Sequence, residues 1–476
     1  MAAFKAQFKK KELENKILGC WYGKNIGGTM GAPYEGRTEM LSVTGYNTPL
    51  GEPLPNDDLD LQLVWLEAME KEGPGLVDAN VLAEYWLCYV TPHWNEYGIG
   101  KSNLNMGLLP PLSGEFKNIW KNSNGAWIRS ELWACLAPGM PNITVKYAIM
   151  DASVDHGLAE GTYAEMFTAS LESMAFFESD IRKLIEKALT YIPKDCRIAK
   201  SVNLVLDSYD AGIPWQEVRE KLVKESEDIG MFQAPANVGF VVLGLMYGEG
   251  DFKKSVLYTI NCGDDTDCTG ATCGAILGII LGCDKIPTDW KEYIGDRIVT
   301  VCINASYRYT IAKSCTELTQ RIIKLMPDVM KAHEIDLEYT EDTDFIDERI
   351  PMYILNDYAE KMFKRSPYSF EIARKTHMDV IVEYDSEPII KPNGNFKVRI
   401  TIKNNRRNAY HCEFTVGLPD GWSADYERTA FVQLDEGTWE MTIYAGEKVD
   451  SVNKIPVMIS PQGHVMPVTA PIVLLG

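Results

Sequence analysis

Residues 263–282, GDDTDCTGATCGAILGIILG, join three closely spaced aspartates to four glycines that stand four positions apart. The apolar residues that follow Cys268 predict a helix, and glycines at this interval lie on one of its faces. Because each glycine inside a helix costs on the order of 1 kcal/mol relative to alanine, this spacing indicates close approach of a neighbouring backbone. The stretch therefore predicts a tightly packed helix that holds carboxylates at its first turn.

The same helical periodicity runs through most of the chain. From residue 10 to about residue 325, apolar residues recur at intervals of three and four, as at Leu59, Leu63 and Leu66. Glycine and proline separate helix-length segments, and no two-residue alternation is sustained between them. We predict one large all-α domain over residues 1–335.

The pattern changes towards the C-terminus. Residues 335–347, IDLEYTEDTDFID, are acidic and without a clear pattern, and a helical piece follows Pro351, so we predict a linker over residues 336–377. After Thr376, short segments such as VIVEY and FKVRITI alternate apolar and polar residues. About seven such strands in about 100 residues predict an immunoglobulin-like β-sandwich over residues 378–476.

Composition narrows the class of protein. The net charge of −20 argues against nucleic acid as a partner, because nothing would neutralise the phosphates. No apolar run reaches the roughly 18 residues of a membrane helix, and the N-terminus lacks the apolar core of a secretory signal. The 11 cysteines include no C-x-x-C pair and fit a reducing compartment. We expect a cytoplasmic protein without a membrane segment, and the sequence leaves its oligomeric state open.

A second acidic cluster opens another predicted helix. Asn56 precedes Asp57 and Asp58 and is placed to cap that helix, which would explain one or two acidic residues by itself. Carboxylates crowded at one helix end repel each other unless cations neutralise them, and oxygen ligands select hard ions such as Mg²⁺, Mn²⁺ or Ca²⁺. The alternative for each cluster is a solvated acidic turn. An EF-hand at residue 265 is excluded, because its twelfth position is Ile276 instead of a glutamate.

A glycine-rich segment, residues 19–35, precedes both clusters. In this order and separation, the three elements resemble the ADP-ribosylglycohydrolase family. Its motifs Gly-x-Pro-x-Glu, Thr-Asp-Asp and Gly-Gly-Asp-Thr-Asp-Thr correspond to residues 31–35, 56–58 and 263–268, and residues 124–129, NGAWIR, resemble a fourth family motif. The resemblance covers residues 19–282 and implies a helical glycohydrolase fold.

The resemblance also implies roles for individual residues. The implied ligands of two Mg²⁺ or Mn²⁺ ions are Asn56, Asp57, Asp58, Asp265 and Asp267. Glu35 or Asp58 would position water or transfer protons. The implied substrate contacts, near the nucleotide and its pyrophosphate, are Ser123, Asn124, Gly125 and His156. The sequence departs from the family at Asn56 and Cys268, where two threonines stand, and a thiol is a soft ligand that hard ions avoid.

These observations predict a metal-dependent hydrolase of a ribosyl-type glycosidic bond, ADP-ribosyl or related, in a small-molecule or conjugated substrate. The appended sandwich, itself either structural or sugar-binding, favours a small nucleotide sugar, nucleoside or other glycoside over an ADP-ribosylated protein. One alternative is a hydrolase of another small glycoside on the same fold. The other is a non-catalytic binding protein that kept the fold, against which the retained aspartates argue.

Overall fold

The computed structural model describes residues 4–304, 306, 310–340, 358–375, 377–406 and 408–476. Within them, no helix combines the length and apolar character needed to span a membrane. The α-helices of the described residues are α1 (Lys10–Gly31), α2 (Asp57–Glu72), α3 (Ala79–Tyr89), α4 (Asn95–Met106), α5 (Leu112–Glu115), α6 (Glu131–Leu136), α7 (Pro141–Ala152), α8 (Glu160–Ala175), α9 (Ile181–Ala188), α10 (Arg197–Asp210), α11 (Trp215–Glu225), α12 (Ala234–Gly248), α13 (Phe252–Asn261), α14 (Thr266–Leu281), α15 (Thr288–Ile294), α16 (Cys315–Ala332) and α17 (Tyr358–Phe363).

Helices α1 and α14 form the tightest pair in this helical domain. They run antiparallel, and the glycines of one face those of the other, as Gly23 faces Gly274 and Gly27 faces Gly270. A Cβ atom built on Gly23 or on Gly27 would lie 1.9 Å from the carbonyl oxygen of the glycine opposite. The close packing predicted for α14 is therefore confirmed, and its partner is α1, whose glycines repeat at the same interval.

This pairing sets the end of α1 beside the start of α14. The hydroxyl of Thr266 donates a 2.8 Å hydrogen bond to the carbonyl of Gly31, the last residue of α1. A short 3₁₀ turn, Ala32–Tyr34, follows, and the backbones of Arg37 and Asp264 then pair in an isolated antiparallel bridge. Glu35 is thereby brought to the first turn of α14.

Helix α2 completes the arrangement. The side chain of Asn56 accepts a 2.7 Å hydrogen bond from the backbone N–H of Asp58, which confirms the predicted N-cap. Asp58 and Asp60 lie at full burial in the first turn. The first turns of α2 and α14 and the end of α1 thus converge on one point.

The C-terminal part is a sandwich of two antiparallel sheets. Its strands are β3 (Ser369–Lys375), β4 (Met378–Tyr384), β5 (Asn395–Asn404), β6 (Tyr410–Val416), β7 (Ser423–Tyr426), β8 (Thr429–Val432), β9 (Glu436–Tyr444), β10 (Val452–Pro461) and β11 (Val468–Leu475). The strand orders of the two sheets are β11-β10-β6-β8 and β3-β4-β5-β9-β7. Residues of β5 and β9 alternate between buried and exposed, and Phe414 of one sheet stacks on Trp439 of the other, 4.2 Å between centroids. The predicted all-α domain followed by a β-sandwich is confirmed.

Two strands lie at the ends of the predicted linker, residues 336–377, whose bounds stay a prediction. Ile335–Thr340 is strand β2, which pairs in parallel with β1 (Phe4–Lys9). Its apolar residues alternate with acidic ones, a strand pattern that the high charge obscured. Strand β3 also begins before residue 378, within the predicted linker. Of the predicted helical piece, α17 is a helix, whereas residues 341–357 lie outside the described residues.

The sandwich and the helical domain share a hydrophobic core. Leu108, Leu112 and Phe116, which follow helix α4, are buried in the same apolar cluster as Val473 of β11 and Phe370 of β3. One end of α4 is therefore anchored against the sandwich.

Candidate metal centre

A cavity of about 350 Å³ opens where α1, α2, α4 and α14 meet. Its volume lies in the range of small-molecule sites, roughly 300–1,000 Å³. Its lining combines carboxylates with aromatic and small residues: Ala32, Glu35, Pro55, Asp57, Trp94, Asn95, Glu96, Tyr97, Ser123, Asn124, Gly125, Ile128, Phe232, Asp265, Asp267, Cys268 and Val301. Most of the residues singled out from the sequence therefore meet in one place.

The acidic residues form two overlapping groups of potential metal ligands. Ligand atoms of Asp58, Asp267 and Cys268 lie within 4.8 Å of one another, and so do those of Glu35, Asp265 and Asp267. Asp267 belongs to both groups, so two ions bound there would be neighbours. Asp57 lines the same cavity, and Tyr97 donates a 2.9 Å hydrogen bond to its Oδ2.

The carboxylates of these groups have unused oxygens. Within the described part of the chain, Asp58 Oδ2, Asp265 Oδ1 and Asp267 Oδ1 are buried without a hydrogen-bond partner. Burial raises the pKa of Asp58 and of Asp265 well above the ordinary range, and the Asp267 carboxylate raises both further. Buried carboxylates with unpartnered oxygens are stable in the charged form only beside a cation. The residues present therefore fit hard divalent ions.

The two departures from the family motif have visible contacts. Asn56 uses its side-chain oxygen to cap α2, and its amide nitrogen faces Gly28. Cys268 donates from its thiol to Asp58 Oδ1 at 3.4 Å, and burial followed by the charge of Asp265 raises its pKa well above the ordinary value. Cys268 is thus a protonated hydrogen-bond donor in this arrangement, and the ligand role of Asn56 stays a prediction.

Lys24 lies behind the acidic groups and was not identified from the sequence. Its Nζ lies 2.8 Å from Glu131 Oε1 and 3.8 Å from Asp58 Oδ2, and it also donates to the carbonyl of Ile128. Burial lowers its pKa, but Glu131 and Asp58 outweigh burial, so the net pKa is raised and the ammonium stays charged. A lysine inside a glycine-rich, otherwise buried helix is the signal that could have revealed it.

The loop that contains Ser123, Asn124 and Gly125 forms another wall of the cavity. Asn124 donates from Nδ2 to Asp265 Oδ2 at 2.7 Å, and Trp127 Nε1 donates to Asn124 Oδ1 at 3.0 Å. The amide of Asn124 therefore orients a predicted metal ligand. The predicted substrate contacts of this loop are at the cavity wall, and their roles remain predictions.

His156 is buried behind this loop and is not part of the cavity lining. Its Nε2 lies 3.2 Å from Ser123 Oγ, and its Nδ1 lies 2.9 Å from Asp155 Oδ1. Asp155 also pairs with the buried guanidinium of Arg129. Burial alone would raise the pKa of Asp155, but Arg129 and His156 lower it to about 2. Among the residues that line the cavity, His156 contacts Ser123, and its predicted role in substrate binding stays a prediction.

The raised pKa values predict how pH acts on the metal-free protein. The Asp267 charge, then burial and Asp57, raises the pKa of Glu35 to about 8, and burial followed by Asp267 raises that of Asp57 to about 6. Between the ordinary and the raised pKa values, the folded protein holds protons that the unfolded chain has lost, so stability falls as pH rises. We expect the melting temperature in a chelator to fall between about pH 5 and about pH 9.

Divalent ions should reverse this trend, because binding replaces the protons. With Mn²⁺, the increase in melting temperature should be small near pH 5 and largest near pH 9, as measured by differential scanning fluorimetry at constant ionic strength. A metal effect that is equal at both pH values would contradict the assignment of these carboxylates to the metal centre.

Comparisons with known proteins add independent information. The family model for ADP-ribosylglycohydrolase matches residues 9–326. An uncharacterized protein from Archaeoglobus fulgidus is 21% identical over 327 residues, which are 66% of this chain and 100% of that protein. Similar solved structures include the FixG-related protein from Vibrio parahaemolyticus, at 10% identity over 21% of this chain and 94% of that one with a TM-score of 0.18. The GAE domain of GGA2p from Saccharomyces cerevisiae is 12% identical over 23% of this chain and 96% of that one, with a TM-score of 0.16.

Proposed function

The chain belongs to the ADP-ribosylglycohydrolase family, and on that premise we propose that it is a metal-dependent hydrolase of a ribosyl-type glycosidic bond. The observation that carries the proposal is the pair of ligand groups that share Asp267 at the wall of a cavity of small-molecule size. One ion would be held by Asp58 and Asp267, with Cys268 nearby, and a second by Asp265 and Asp267, with Glu35 at its edge. Such ions supply positive charge that orients sugar hydroxyls and favours ionisation of water.

The chain's own residues supply the remaining chemistry. Cleavage passes through a transition state with positive charge at the anomeric carbon, which the carboxylates of Asp57 and Asp265 would stabilise. Asn124 holds Asp265 in place through a 2.7 Å hydrogen bond, and Tyr97 does the same for Asp57 at 2.9 Å. Trp94 and Phe232 add aromatic surface to the lining of the cavity.

Of the two candidate proton carriers, the contacts favour Glu35 over Asp58. Glu35 is exposed at the cavity, so its carboxyl can exchange a proton with water or a leaving oxygen. Asp58 is fully buried, with Lys24 at 3.8 Å and the thiol of Cys268 on Oδ1. We assign proton transfer to Glu35 and a holding role to Asp58.

A panel of glycosides tests this proposal. Purified protein would be incubated with ADP-ribosyl conjugates, nucleosides and aryl glycosides of ribose, in Mg²⁺, in Mn²⁺ or in chelator, and the released sugar would be measured. We expect at least one riboside to be cleaved, with the rate falling by at least about a hundredfold in chelator. Turnover that survives metal removal, or no cleavage of any riboside with either metal, would contradict the proposal and favour a binding protein.

A further inference from the structure

Glu96 is a buried carboxylate of the cavity that belongs to neither group of potential metal ligands. It is the second residue of α4, is 6% exposed and lines the cavity. Its Oε1 lies against the loop that contains Gly125, since a Cβ atom built on Gly125 would overlap that oxygen. Its Oε2 is buried without a hydrogen-bond partner in the described chain. A carboxylate oxygen that is hidden from solvent and points at no donor of the protein needs a donor from a ligand.

The ionisable residues that line the cavity are acidic. The residues that line it include five carboxylates and, within the described ranges, no lysine, arginine or histidine. The nearest buried cations are engaged elsewhere, Lys24 with Glu131 and Arg129 with Asp155. Two divalent ions at the metal centre would offset the carboxylates that hold them. Glu96 belongs to neither ligand group, so the ions would not be bound by its carboxylate.

The net pKa of Glu96 is raised, with burial as the largest cause. Burial raises its pKa, whereas the charge of His156 and a hydrogen bond from Ser123 act in the opposite direction. The residue just before α4, Trp94, is 53% exposed and lines the cavity, with its ring 6.3 Å from that of Tyr97. An exposed indole face packs well on an uncharged ring of a sugar or a base. The wall beside Ser123 and Gly125 thus offers a buried carboxyl group with an unpartnered oxygen and an aromatic surface.

We propose that the Glu96 side of the cavity binds an uncharged group that donates hydrogen bonds, so that the substrate is a neutral riboside and a pyrophosphate is disfavoured there. The identification of the sugar as ribosyl rests on the proposed function. Glu96 Oε2 accepts from a hydroxyl or amino group of the ligand, and Trp94 covers its ring. A pyrophosphate at Ser123, Asn124 and Gly125, where the family resemblance implies one, would face the carboxylate of Glu96 with no cation of the lining to offset it.

Two probes separate these possibilities. Adenosine is an uncharged riboside, and ADP-ribose contains the same nucleoside joined to a pyrophosphate. Their dissociation constants would be measured by calorimetry at about pH 8 with Mn²⁺ bound, for the wild-type protein and for Glu96→Gln. We expect the wild-type protein to bind adenosine at least as tightly as ADP-ribose. Glu96→Gln should shift the ratio of the two constants towards ADP-ribose by at least about tenfold, because like charges across an interface are costly.

A charge-matched control is Glu292→Gln, since Glu292 is an exposed residue of α15 outside the cavity lining. It should leave the ratio unchanged. A measurement on the wild-type protein alone covers a failure of Glu96→Gln to fold. Raising the salt concentration should strengthen binding of ADP-ribose relative to adenosine, because salt screens repulsion. A wild-type preference for ADP-ribose that neither salt nor Glu96→Gln alters overturns the proposal, as does binding of neither probe.

Binding, not turnover, is the readout, so failure here is distinguishable from failure of the proposed function. If no riboside is cleaved but the binding ratios behave as stated, the neutral-ligand inference holds and the hydrolase proposal fails. If ADP-ribosyl conjugates are cleaved in preference to uncharged ribosides, the hydrolase proposal holds and this inference fails.

Discussion

Replacing Gly27 with alanine should abolish folding of the helical domain. The added Cβ would lie 1.9 Å from the carbonyl oxygen of Gly270 and 2.7 Å from the backbone nitrogen of Ala271. These are main-chain atoms of a buried helix, which cannot turn aside as a flexible side chain can. The contacts repeat along the pair at Gly23 and Gly31, so moving one helix outward would break the whole interface. We expect a loss of more than about 4 kcal/mol of unfolding free energy, in the range reserved for severe core defects.

Circular dichroism melting and the soluble yield would measure this effect. Gly45→Ala is the matched control, because a Cβ atom at Gly45 has no atom within 4 Å and its φ is not among the positive ones. That variant should be neutral or slightly stabilising, by at most about 1 kcal/mol, through the unfolded state. A Gly27→Ala protein that melts like the wild type would show that the two helices are not packed as described.

Replacing Asp265 with asparagine should abolish metal binding and turnover while the fold is kept. The carboxylate is a member of one ligand group, and its Oδ2 already accepts from Asn124, an interaction that an asparagine oxygen can maintain. The new amide nitrogen would take the place of the unpartnered Oδ1, where it cannot ligate a cation. We expect metal affinity and the rate of hydrolysis to fall by at least about a hundredfold.

The same variant should be more stable than the wild type in chelator. After burial, the charges of Asp267 and Glu35 raise the pKa of Asp265, and removing the Asp265 charge relieves that repulsion. Melting curves with and without Mn²⁺ would record both effects. Asp264→Asn is the control, because Asp264 belongs to neither ligand group and has a φ of 67°, which asparagine tolerates. If Asp265→Asn retained Mn²⁺-dependent stabilisation, the assignment of the metal centre would be wrong.

Much of the fold was predictable because buried residues recur at regular intervals along helices and strands. The interval of four between glycines identified the packed face of α14, and the change to two-residue alternation located most of the sandwich. The strand Ile335–Thr340 was missed although its residues alternate, because its partner β1 lies over 300 positions earlier and charge was taken as the stronger signal. Local patterns report which face of an element is buried, not which distant element covers it.

The candidate site likewise contains residues that local patterns reveal and residues that they do not. The aspartates stood out because three carboxylates at one helix end have few structural explanations, and the structure places them around one cavity. Lys24 and Glu96 were missed because each is a single charged residue whose importance comes from burial and from partners far along the chain. The pairing of His156 with Ser123 is likewise a tertiary contact, across 33 positions, that no spacing predicts.

Helix α4 connects the cavity of the helical domain to the sandwich. It begins at the cavity with Asn95 and Glu96 and is followed by Leu108, which is buried in the core of the sandwich. In this chain, deleting the sandwich would uncover an apolar surface and free the helix that carries a wall of the cavity. The sandwich is consequently expected to support the wall of the cavity that α4 carries, so that removing the sandwich changes the affinity for ligands.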